Sequence, residues 1–166
     1  MIKVAIHELI HAFEFDKNFS SLSCQRYFDK IKNANYPFEA FTEYWAEMIY
    51  IKILSLIYNK DIQTIINDFL EHNKKMSDII CYKFNMNNYG ELEKINQESG
   101  TYFYFIVKYI YMKYNIFKED IDNNKCNIIN KNISEYLIKE IPDNISSDND
   151  KINFTMIPYK YDVMTF

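Results

Sequence analysis

Glycine and proline are scarce: the chain of 166 residues has 2 Gly and 3 Pro. Tight hairpins and phosphate-cradling loops need residues that tolerate φ > 0, so this scarcity argues against turn-rich β architectures and against Gly-rich nucleotide loops. Cysteine is sparse as well. Cys24, Cys81 and Cys126 are odd in number, far apart and without a CxxC pair, which suits reduced thiols rather than a disulfide frame. No apolar run reaches the ~18 residues that a bilayer span requires, because Glu47 and Lys52 interrupt the richest stretch and Lys108 the next. The residues ahead of His7 carry no apolar leader core, so a cytoplasmic location without a membrane partner is expected. Positive charge is in deficit: 19 basic against 23 acidic side chains give a formal net charge of -4. Such a chain has no general attraction for a phosphate backbone, and no nucleic-acid partner is expected.

What is plentiful is apolar surface. Apolar residues make up 48% of the chain and aromatics 17%, which is too hydrophobic for intrinsic disorder and enough for the core of one domain. The spacing of these residues predicts a mainly α fold of about six helices. They are expected near 2–15, 20–32, 38–58, 61–73, 77–84 and 99–114, with Asp61 capping the fourth and a loop over 85–90. Shorter helical pieces are expected around 117–121 and 134–139. A helical domain over 1–141 would then be followed by a tail over 142–166, polar at first and partly extended at 152–157. Nothing in the sequence specifies an oligomeric state.

The segment that carries chemistry is His7-Glu8-Leu9-Ile10-His11. On a helix, residues four apart differ by ~40° around the axis, so both imidazoles leave one face one turn apart and can hold a single Zn²⁺. Glu8 is rotated away from the pair, the placement of a general base rather than a ligand. The bland alternative is that His7 and His11 belong with Lys3 and Glu14 to the polar stripe of an amphipathic helix. The chain has only three histidines, however, and two of them bracket this Glu.

The stretch Val4-Ala5-Ile6-His7-Glu8-Leu9-Ile10-His11-Ala12-Phe13 resembles the extended HEXXH signature of zincin metallopeptidases. Downstream, Glu43-Tyr44-Trp45-Ala46-Glu47 is similar to the Glu-x-x-Ala-Asp/Asn pattern of compact gluzincins. The resemblance covers about residues 1–58; beyond it there is a looser likeness to uncharacterised metallopeptidases of large DNA viruses. It implies that His7, His11 and Glu43 are the metal ligands, that Glu47 receives the other ring N–H of a zinc-bound histidine, and that Glu8 activates a water held by the zinc. The implied activity is hydrolysis of peptide bonds, with a peptide or protein as substrate. Zincins place a mixed sheet ahead of this helix, and here six residues precede His7, so that wall of the cleft is expected to be missing, truncated or built from later segments. The reading from a different class is a non-catalytic helical module that binds zinc or a protein partner.

The charges along 38–58 support the second segment independently. Glu39, Glu43 and Glu47 recur every fourth residue, so three carboxylates share one helical face, and no Lys or Arg occurs between Lys32 and Lys52. Like charges at that spacing destabilise a helix, and a cation held by His7 and His11 would offset them. Glu39 itself reads as a first-turn carboxylate favoured by the helix dipole and is left outside the expected site. His72, near an expected helix end at Asn73, reads as a C-terminal dipole partner. The aromatics of Tyr102 to Tyr111 read as core, and which tyrosine, if any, stabilises an oxyanion is not legible.

Overall fold

A computed structural model describes residues 2–15, 36–95, 100–115, 117–120, 125–128, 133–143, 158 and 161. Among them the chain is mainly helical. It forms α1 (Ile2–Ala12), α2 (Tyr36–Tyr58), α3 (Ile62–Lys83), α4 (Gly100–Lys113) and α5 (Ile133–Lys139), with a 3-10 turn at Leu92–Lys94. A two-stranded antiparallel hairpin, β1 (Phe117–Asp120) and β2 (Lys125–Ile128), pairs Phe117 with Ile128 and Asp120 with Lys125. No described helix is long and apolar enough to cross a membrane.

With glycine scarce, asparagine ends three of the described helices. Asn59, Asn85 and Asn115 follow α2, α3 and α4 within two residues and take φ of 47°, 51° and 45°. Asn tolerates this left-handed conformation better than other residues with a Cβ. The Lys60 N–H then donates to the Ser55 carbonyl at 3.1 Å and the Met86 N–H to that of Cys81 at 2.8 Å, closing Schellman-type turns over the last carbonyls of α2 and α3. At the other end of α3, the Asp61 carboxylate accepts from the Thr64 N–H at 2.9 Å, the cap its sequence predicts.

Helix α4 is central: it packs against α2, α3 and α5. Phe103 and every residue from Phe105 to Tyr111 are buried, so apolar contact surrounds it on all sides. Phe41 and Tyr44 of α2 and Met76, Ile79 and Ile80 of α3 fill the space around it. A second apolar cluster, Tyr50, Ile51, Leu54, Ile65 and Phe69 with Tyr161, lies between α2 and α3, and Ile2 and Ile6 of α1 pack onto it. Helix α1 thereby lies along α2.

Two expectations change. The helices expected at 61–73 and 77–84 are one continuous α3, because the polar residues that read as a terminus and a cap are used inside the helix. The Ser77 hydroxyl donates back to the Asn73 carbonyl at 2.7 Å, and the Asn73 amide reaches Glu47 Oε1 of α2 at 2.5 Å. His72 accordingly sits in mid-helix and has no helix end to complement. Residues 117–120 form a strand rather than a helical piece, since pairing with β2 supplies hydrogen bonds that one isolated helical turn cannot sustain. The helix expected at 20–32 and the extended stretch at 152–157 lie outside the described residues.

Candidate metal centre

Helices α1 and α2 run antiparallel along the candidate site, with His11 opposite Glu39 and Lys3 opposite Glu43. Lys3, His7 and His11 recur every fourth residue on α1, as Glu39, Glu43 and Glu47 do on α2, so two stripes of complementary chemistry face each other. The imidazoles turn toward one another: His7 Nε2 lies 3.1 Å from His11 Nε2, with the rings edge to face. Glu39 Oε2 stands 3.5 Å from both Nε2 atoms. A point equidistant from three atoms at these separations lies about 2 Å from each, the length of a Zn–N or Zn–O bond.

The donor set also suits such an ion. Two imidazole nitrogens and a carboxylate oxygen are borderline to hard ligands of the kind that hold Zn²⁺ with a fourth position left over. All three side chains are partly buried, at 15%, 29% and 31% exposure, so the group is neither sealed in the core nor fully open. His7, His11 and Glu39 form the one group of ligand atoms with this mutual spacing among the described residues.

Behind this triangle stands a buried row of charges. Glu43 Oε1 lies 2.9 Å from His7 Nδ1, a charge-pair contact that is not an aligned hydrogen bond. The other carboxylate oxygen, Oε2, accepts from Lys3 Nζ, and Lys3 is 5% exposed. Burial works against the charge of Glu43, but His7, Lys3 and Lys108 around it hold its carboxyl well below the usual range. The same contact with Glu43 is the largest cause raising the His7 pKa, against the opposing effect of burial. Burial, followed by the nearby Lys108 charge, lowers the Lys3 pKa. One turn further along α2, Glu47 Oε2 accepts from Lys108 Nζ of α4 at 2.7 Å, and both residues are almost fully buried. The carboxylate stripe is therefore balanced from two directions, with α1 and α4 supplying the cations that α2 lacks ahead of Lys52.

The register thus differs by one turn from the expected ligand set. Glu39, expected to serve only the helix dipole, faces both Nε2 atoms. Glu43, expected as the ligand, contacts the opposite ring nitrogen of His7. Glu47, expected behind a histidine, is engaged with Lys108 and Asn73. The physical reason is Lys3: its ion pair with Glu43 sets the slide of α1 along α2 and leaves the two imidazoles beside Glu39. That signal was present in the shared stripe of Lys3, His7 and His11. Spacing within α2 alone does not register it.

Glu8 is exposed on α1, ~100° around the axis from His7. An apolar groove of about 330 Å³, lined in part by Leu9, Phe13, Trp45 and Ile49, also follows the α1–α2 seam. Leu9 and Phe13 come two residues after His7 and His11, ~200° around the helix, so this groove opens on the far side from the ligand atoms. No family model, curated protein or solved structure matches the chain.

Proposed function

We propose that the chain is a zinc-dependent metallopeptidase in which His7, His11 and Glu39 hold the metal and Glu8 is the general base. The observation that carries this reading is the triangle of ligand atoms, whose separations of 3.1, 3.5 and 3.5 Å leave room for one Zn²⁺. Three protein ligands and partial exposure are the pattern of a catalytic site, which keeps one position open, rather than of a structural site closed by a fourth ligand. When bound, zinc supplies the Lewis acidity that polarises a carbonyl and acidifies water.

The chain's own groups do the rest. The Glu8 carboxylate is exposed and next to His7 in sequence, free of the row of ion pairs that occupies Glu43 and Glu47. It takes a proton from the attacking water and returns it to the leaving nitrogen as the C–N bond breaks. Glu43, at Nδ1 of His7, orients the ring so that Nε2 faces the metal position.

The test combines elemental analysis with a peptide-library digest read by mass spectrometry. Protein purified without chelator is expected to carry about one zinc per chain. Glu8→Gln is expected to keep that zinc and lose all cleavage. A parent protein without zinc overturns the reading. A zinc-loaded parent that leaves the library intact replaces it with the non-catalytic zinc module.

A further inference from the structure

We infer that Lys3 is a positioning residue for the proposed centre: through Glu43 it fixes which nitrogen of His7 carries the proton and which faces the metal. This inference rests on the metal reading above. Lys3 is a cation buried to 5% exposure in the α1–α2 seam, an expensive location unless the charge is used. Its ammonium holds Oε2 of Glu43, and that contact turns Oε1 toward His7 Nδ1 at 2.9 Å. An ionised carboxylate can only accept, so with Oε1 2.9 Å away it favours the tautomer that carries the proton on Nδ1, a small turn of the ring bringing that contact into line. His7 then presents a bare Nε2 toward His11 and Glu39, the form in which an imidazole binds a metal.

Without Lys3, Oε2 of Glu43 loses its donor in the seam and the carboxylate is free to turn toward Lys108, the other cation acting on it. The contact with Nδ1 is then lost. Lys108 is the internal comparison, a second buried ammonium whose own partner is Glu47, away from the imidazoles. The two lysines look alike in burial and differ in what their carboxylates touch. Only the Lys3 carboxylate touches a histidine.

The experiment reads the His7 ring directly. Long-range ¹H–¹⁵N spectra of the metal-free parent, at a pH where imidazoles are neutral, are expected to show the His7 proton on Nδ1. Zinc affinity, measured by competition with a chromophoric chelator, is expected to fall about 10–100-fold in Lys3→Met, the range for groups that orient a ligand. The His7 tautomers should mix in the same variant, and Lys3→Arg should recover most of the affinity. A His7 proton on Nε2 in the parent overturns the inference without any variant, so it does not depend on Lys3→Met folding. Parent-like tautomer and affinity in Lys3→Met overturn it too. Failure of the parent to bind zinc overturns instead the metal reading on which the inference rests.

Discussion

Carboxylates gather in two regions of this helical frame, and Asp78 and Glu140 in one are handled differently from Glu39 in the other. Between α3, α4 and α5, Asp78 and Glu140 are both buried, and each of their four oxygens meets a donor. Asp78 Oδ1 accepts from the Tyr89 hydroxyl and Oδ2 from Lys74 Nζ at 2.8 Å. Glu140 Oε1 accepts from Lys113 Nζ at 2.6 Å and from the Tyr114 hydroxyl, and Oε2 from the Tyr109 hydroxyl at 3.5 Å. Burial and the Glu140 contact push the Tyr114 hydroxyl up to about 12, so it remains a donor at any ordinary pH. In the α1–α2 seam, Glu39 Oε2 and two imidazole nitrogens converge instead. Electron-pair atoms brought together this way need a proton or a metal ion between them. The first region is complete in its own hydrogen bonds, whereas the second gathers three atoms with the mutual spacing of a metal-ligand set.

The strongest test of this contrast is metal dependence. A ligand that binds only the folded chain stabilises it by about 4 kcal/mol at a thousand times its Kd. Thermal melts with and without excess Zn²⁺ are therefore expected to differ by that order in the parent, and the difference should vanish in His11→Ala. A zinc-induced shift that survives in His11→Ala would place the metal somewhere other than the seam.

The closed region should show the reverse behaviour. Asp78→Ala strands the buried Tyr89 hydroxyl and removes the charge that Lys74 faces, and losses of this kind cost about 2–3 kcal/mol. Urea titration is expected to register that loss while zinc affinity stays within about twofold of the parent. A large fall in affinity would mean that the two regions are coupled through α4.

Within the seam, the one-turn register carries a graded prediction. Glu39→Gln removes a proposed ligand and should weaken zinc binding more than Glu43→Gln, for which ~10–100-fold is expected from a group that orients a histidine. Glu47→Gln should lower stability through its buried partner Lys108 and leave zinc affinity nearly unchanged. If Glu43→Gln proved the most damaging of the three, the ligand set implied by the resemblance of the Glu-x-x-Ala-Glu string would be right, and α1 would have to slide by a turn when the metal binds.

How far the sequence goes can be read from these same residues. The helical class, the cap at Asp61 and the face shared by His7 and His11 follow from periodicities internal to one segment, and the structure has them. The stripe of Glu39, Glu43 and Glu47 was equally legible. Which of the three faces the imidazoles was not, because that depends on the slide between α1 and α2, set by an ion pair between residues forty positions apart. The continuity of α3 through Asn73 and Ser77 failed for a related reason: Asn73 is held by Glu47 from another helix, and local preference cannot register a partner that tertiary packing supplies. Lys108 reads in sequence as a charge interrupting an apolar run, and only the bundle reveals that it neutralises Glu47.

The smallest expected effect concerns Cys81, which sharpens the picture of the closed region. It is a buried free thiol in α3, and burial, reinforced by the Asp78 charge and more weakly by Glu91, pushes it up to about 12. A raised thiol pKa means the thiolate appears only as the pH approaches that value. At pH 8 the thiolate is therefore about one part in ten thousand, and the thiolate is the reacting form. Peptide mapping after iodoacetamide treatment of the folded protein at pH 8 is expected to find Cys81 unmodified. Asp78→Asn removes the second cause and leaves the first, so labelling should rise only slightly. Ready alkylation of Cys81 in the folded parent would show that solvent reaches the region between α3 and α4, and the contrast with the α1–α2 seam would then lose its basis.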